Sequence, residues 1–271
     1  MSSWRIPRRT GLCLYLHMDF GYAPDKTFEM GEFSIMLTEG PASIMLGTVE
    51  DLPRIYADME QQFPPDEMYK YKILLQLLHR DKYKILLYKR DSDGALLGYA
   101  LVYTVENCNI LWLDYIAVLK EHQSHGYGNQ LFNALWHKYC GPCGLFDGIL
   151  FSVEHVCGDH SDLAKRQERR ITFYEHLGAY RLHAGFLLPC DSGSLPMYLY
   201  FKPRRGLYTI SRTVQIQAIG QMYEYCFFYL KHRKDLLARF KQTILDEKLM
   251  PAHHPVTQDA AAPVARSVRH A

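Results

Sequence analysis

The sequence predicts an α/β domain, and three observations carry that expectation. Short apolar runs of strand length alternate along the chain with segments of helical periodicity. Two turn signals, Asp91-Ser92-Asp93-Gly94 and Asn107-Cys108-Asn109, join consecutive strands as hairpins. The chain of 271 residues, 48% hydrophobic and 22% charged, is long and apolar enough to bury a substantial core. A net charge of +2 gives no chain-wide electrostatic footprint for nucleic acid. Seven irregularly spaced cysteines do not make a secreted disulfide framework and fit a reducing cytoplasm. The apolar stretch from Gly11 to Leu16, behind Arg5, Arg8 and Arg9, is short for a signal peptide and lacks a small-residue cleavage site. With no apolar run of about eighteen residues, neither a membrane span nor a membrane partner is expected.

Residues 1–40 lack sustained periodicity and read as an N-terminal extension. A brief strand at 43–46 precedes Thr48, a capping residue for a helix running to Gln62. Phe63-Pro64-Pro65 breaks that helix, and Asp66-Glu67 opens a second one reaching His79, with acidic charge at its N-terminal end. Strands follow at 83–88, 95–105 and 110–118. The next helix carries Leu131, Phe132, Leu135, Trp136 and Tyr139 on one face. Then come a strand at 148–153, a polar loop with alternating charges from Asp159 to Arg170, and a helix ending at Leu177-Gly178. Strands near 181–188 and 195–202 complete the domain of residues 41–205. Residues 206–250 read as one C-terminal helix whose apolar face packs on the domain or on a second copy of the chain, which makes a homodimer through that helix one of the partner arrangements it allows. Residues 251–271, rich in Ala, Pro and His, read as a disordered tail.

The chemistry concentrates between Leu113 and Asn129. There a strand ending Ile116-Ala117-Val118 turns through Gln123-Ser124-His125-Gly126-Tyr127-Gly128 directly into a helix. Such a turn aims several backbone N–H groups at one point, at the positive end of the helix dipole, and so makes an anion cradle. The dinucleotide fingerprint would need a glycine where Leu131 stands, and no Gly-Lys-Ser/Thr follows to make a P-loop.

With Gln123-x-x-Gly126-x-Gly128 after that strand, and Phe173-Tyr174-Glu175-His176-Leu177-Gly178 closing a later helix, the sequence resembles the GNAT superfamily of N-acetyltransferases. The order of elements from residue 43 to 203 resembles that family's too. The resemblance implies a GNAT-like mixed, mostly antiparallel sheet, splayed at the cofactor site and flanked by helices. It implies acetyl-CoA as cosubstrate. Backbone groups of Ile116, Ala117 and Val118 would receive the pantetheine arm and polarise the thioester, as an added strand pairs with an exposed edge. Gln123, Ser124, His125, Gly126, Tyr127, Gly128 and Asn129 would hold the pyrophosphate, and Tyr174 would act as general acid toward the departing thiolate. Gln167 and Arg170 stand where many relatives have Asn and Ala.

An attacking amine must lose a proton, and four carboxylates are placed to accept one, namely Asp114, Glu154, Glu67 and Glu106. Asp114 and Glu154, at strand ends beside the splay, are the preferred catalytic pair. Glu67 and Glu106 are assigned to acceptor binding. These acids favour a small cationic amine such as a polyamine. The alternatives are a protein or peptide N-acetyltransferase and a non-catalytic CoA-binding module.

Two cysteine patterns compete with this reading. Cys140-x-x-Cys143 ends a helix instead of beginning one, so no helix dipole lowers a thiolate pKa there. Paired with Cys157-x-x-His160 it resembles a zinc site, but the intervening strand, at about 3.3 Å per residue, holds the pairs some 20 Å apart. No metal is expected.

Overall fold

The computed structural model describes residues 41–249 apart from 157, 159 and 160. The N-terminal extension, the tail, Cys157 and His160 lie outside the described residues. In chain order the elements are β1 (Ala42–Leu46), α1 (Leu52–Gln62), α2 (Tyr71–Leu78), β2 (Tyr83–Arg90), β3 (Leu96–Val105), β4 (Ile110–Val118), α3 (Tyr127–Cys140), β5 (Gly148–Glu154), α4 (Asp162–His176), β6 (Tyr180–Cys190), β7 (Gly193–Pro203), α5 (Arg212–Cys226) and α6 (Arg233–Thr243).

The strands form one sheet in the order β1-β2-β3-β4-β5-β7-β6, antiparallel except where β4 meets β5. Both faces are covered, as the burial of every residue of β3 but the half-buried Thr104 requires. On one face α1, α2, α5 and α6 bury Ile55, Leu74, Ile219, Met222 and Phe240 against Tyr83, Leu101 and Trp112. On the other, α3 and α4 bury Phe132, Leu135, Trp136 and Tyr174 against Val102, Leu111 and Phe151. No helix among the described residues is long and apolar enough to cross a membrane.

Two irregularities place the site. β4 and β5 pair only from Ile110, Leu111 and Trp112 to Gly148, Ile149 and Leu150, and beyond that point they diverge. In the β3–β4 ladder Leu101 opposes Tyr115 while Val102 opposes Leu113, so Asp114 is the extra residue of a bulge at the mouth of the splay.

Three elements differ from expectation. The helix foreseen over 66–79 is a single 3-10 turn, Pro65–Glu67, followed by an extended link into α2. The Tyr115 hydroxyl accepts from the Tyr69 N–H (3.1 Å) and donates to the Glu67 carbonyl (2.9 Å), so these backbone groups serve a side chain and not a helix. The charged run foreseen as a loop to Arg170 is helical from Asp162. Ser161 caps it by accepting from the Ala164 N–H, and Ala164, Gln167 and Tyr174 make the buried stripe. The C-terminal segment is two helices, and its apolar residues, among them Ile219, Met222, Cys226 and Phe240, lie in the chain's own core. The face that suggested a second copy is therefore spent within the chain.

Candidate active site

The Leu119 N–H donates to the Leu97 carbonyl (2.9 Å), which fixes the phase of the β3–β4 ladder. Strand alternation then turns the N–H and C=O of Ala117 toward β3 and those of Ile116 and Val118 toward the splay. Ala117 is thus corrected: its backbone is committed to the sheet, and Ile116 and Val118 supply the open edge. The Val118 carbonyl already accepts from Gln62 Nε2 (3.1 Å) and Gln123 Nε2 (3.2 Å).

Beyond that edge, Ser124 and Gly126 adopt left-handed backbone angles, φ 66° and 80°, and α3 begins at Tyr127. A Cβ at Gly126 would meet nothing within 4 Å, so this glycine answers the angle and not crowding. The first-turn N–H groups of α3, from Tyr127 through Asn129, have no carbonyl within their own helix to bond. Gln123 spends its side chain on Val118 and on Gln62 Oε1 (2.9 Å), and His125 Nδ1 lies 2.7 Å from the Gln123 carbonyl. The Tyr127 ring is buried beside Tyr88, which leaves only its backbone facing an anion. An open strand edge followed by an exposed cradle of N–H groups fits a long donor with an amide-bearing arm and a pyrophosphate.

At the splay lies a cavity of about 140 Å³ that brings Glu67, Asp114, Glu154, Arg170 and Tyr174 together. Glu106 is not among its lining residues. It pairs instead with Lys82 (2.6 Å) in the β3–β4 turn, at the end of β4 away from the splay, and its assignment to acceptor binding is withdrawn.

The five groups differ in character. Asp114 is enclosed. Burial raises its carboxyl to about 6, while the donors Tyr83 (2.5 Å), Trp112 Nε1 (3.1 Å) and the nearby Tyr69 hydroxyl pull it back. Glu67 is raised to about 7, first by burial and then by the charge of Glu154, with Arg170 opposing. Glu154 pairs directly with Arg170 on α4. The Tyr174 ring lies 4.5 Å from that of Phe151 and 5.4 Å from that of Phe132, and burial pushes its phenol up to about 12. By contrast Cys140, the last residue of α3, is a buried thiol pushed up to about 12 by desolvation.

Sequence reasoning passed over Gln62 and Tyr115. Both act through backbone atoms remote in sequence, Val118 for the first and Glu67 and Tyr69 for the second, and no local pattern signals such a contact. The Arg170–Glu154 pair likewise joins residues on different elements, α4 and β5.

The acetyltransferase (GNAT) domain family model matches residues 81–178, which run from the start of β2 to Gly178. No curated protein matches the chain. Among solved structures, a protein assigned to the GNAT family of acetyltransferases from Bacteroides thetaiotaomicron is 18% identical with a TM-score of 0.53, covering 69% of this chain and 99% of its own. Arabidopsis thaliana NAA60 in complex with acetyl-CoA is 15% identical with a TM-score of 0.45, covering 61% of this chain and 100% of its own. Spermidine N-acetyltransferase from Vibrio cholerae in complex with CoA and spermine is 12% identical with a TM-score of 0.45, covering 60% of this chain and 95% of its own. The splayed sheet and the glycine turn fall inside the matched residues, so the part of the chain that builds this site matches the GNAT acetyltransferase domain, a domain that takes acetyl-CoA as its acetyl donor.

Proposed function

We propose that the protein transfers an acetyl group from acetyl-CoA directly to a primary amine of a small cationic molecule, with Glu67 as the proton acceptor. The observation that carries this reading is the Glu67 carboxyl, raised to about 7 in the cavity that also holds Tyr174 and opens on the free edge of β4. A base of that strength is substantially ionised at neutral pH and accepts protons better than an ordinary carboxylate. Asp114, which accepts from the Tyr83 hydroxyl (2.5 Å) and from Trp112 Nε1 (3.1 Å), is better suited to shaping the cavity floor.

In this reading the neutral amine nitrogen attacks the thioester carbon while the Ile116 and Val118 edge orients the donor. The C–N bond forms, the C–S bond breaks, the amine proton passes to Glu67 directly or through one water, and Tyr174 donates to the departing sulfur. Three carboxylates against one guanidinium line the cavity, a balance that supports a cationic acceptor over a neutral one. The test is release of CoA from acetyl-CoA by the full chain across a panel of small cationic amines, neutral amines and peptides. Acetylation of a small cationic amine is expected. Turnover confined to peptides, or none at all with acetyl-CoA bound, would contradict it.

A further inference from the structure

The cavity at the splay is small. A void of about 150 Å³ holds one benzene-sized molecule, so a cavity of about 140 Å³ has room for about six non-hydrogen atoms. A second cavity, of about 200 Å³, adjoins it, and Glu67, Tyr69, Leu188 and Phe227 line both. The first three belong to the domain of residues 41–205. Phe227 comes from the C-terminal segment, directly after α5, so that segment supplies part of the partition between the two cavities.

The Phe227 ring is buried, 5.1 Å from that of Tyr69 and 6.3 Å from that of Tyr223. Its surroundings are anchored at three places. The Tyr223 hydroxyl donates to the Leu187 carbonyl on β6. The Tyr225 ring stacks on Tyr103 of β3 (4.4 Å), and the Tyr225 carbonyl accepts from Arg80 Nη1 (2.8 Å), just beyond α2. A ring packed in this way is a fixed wall, because close-packed interiors yield little. On the side of the first cavity, Phe63, Leu188, Met197 and Phe227 set apolar surface beside the carboxylates. That combination suits an ammonium group carrying an apolar body, the charge meeting the acids while the body leaves water against the apolar groups.

We propose that Phe227 sets acceptor length: the acceptor is a primary amine with one compact apolar body, and a body longer than the first cavity is excluded by this ring. The inference rests on the proposed acetyl transfer, which puts the reacting amine at Glu67. Specificity for size then resides in the C-terminal segment, while the transfer chemistry resides in the sheet domain.

The test is calorimetric titration of straight-chain primary alkylamines of two to ten carbons into the full chain with CoA present. In the parent, affinity should rise about fourfold per methylene up to about five carbons and fall beyond that length. Phe227→Ala, which joins the two cavities, should move that limit about three carbons further, and Phe227→Leu, which leaves the core better filled, by about one. Circular dichroism checks the fold, and where the alanine variant does not fold the leucine variant decides. A residue that only supports the fold would lower affinity at every length without moving the limit. Affinity still rising at ten carbons in the parent, no amine bound at any length, or a limit unmoved in the folded variants would overturn the inference. Turnover is read separately. A limit that moves without acetylated product would remove the transfer reading and leave the wall standing, whereas acetylation of the series with an unmoved limit would remove the wall alone.

Discussion

Glu67 is placed by Tyr115, whose hydroxyl holds the Glu67 carbonyl and the Tyr69 N–H, and its proton affinity is set by burial and by Glu154. Replacing it with an isostere that cannot take a proton, Glu67→Gln, is expected to lower kcat by roughly 10²- to 10³-fold while acetyl-CoA affinity stays within about twofold, as steady-state kinetics and calorimetry would read. Tyr174, with its phenol raised to about 12, remains protonated throughout the working range and can only donate. Tyr174→Phe should therefore lower kcat by about tenfold or more with little change in acetyl-CoA affinity; equal losses in both would assign the tyrosine to packing. A carboxylate after Phe63-Pro64-Pro65 was legible in the sequence as a pocket residue. Its raised pKa was not, because that depends on Glu154 and Arg170, far along the chain. Glu106 was misread because a hairpin acid looks alike at either end of a strand, and only the divergence of β4 from β5 shows which end is the site.

Among the elements, α4 connects the cavity to the sheet through Arg170, whose guanidinium meets Glu154 and lowers the pKa of Glu67. In Arg170→Ala the uncompensated Glu154 charge should push Glu67 higher still, moving the rising limb of the pH–rate profile to higher pH by about half a unit or more. The turn into α3 makes a separate prediction. Gly126→Glu puts a carboxylate at the cradle and a side chain on a left-handed residue, so acetyl-CoA binding should be lost by calorimetry while circular dichroism retains the fold. The strands were readable because hairpin turns and apolar runs are local signals. The start of α4 was hidden by its charges, although Ser161 is an ordinary capping residue. The break after Cys226 has no Pro or Gly to announce it; among its contacts Arg233 bonds the Leu230 carbonyl (2.7 Å) and Glu224.

For the molecule as a whole, the bulge at Asp114 places an acid in the middle of the sheet and makes stability depend on pH. Its carboxyl rises from the usual 3.8 to about 6 on folding, so between those values the folded chain keeps a proton that the unfolded chain has lost. Stability is full below about pH 4 on this account and falls by roughly 3 kcal/mol as pH rises through 6, a slope that Asp114→Asn should remove in denaturant titrations at pH 4.5 and 7. The same sheet, open between β4 and β5, joins the donor edge on one side to the acid-lined cavity on the other, and the transfer reading depends on Glu67 standing between them. The most direct test is the pH dependence of kcat/KM for the best amine of the panel, measured in the parent and in Glu67→Gln. The account predicts a limb rising with pH and bending near 7 in the parent, with that bend absent from the variant and only the amine's own ionisation, near 10, remaining. A variant that keeps both the bend and the parent's rate would contradict it.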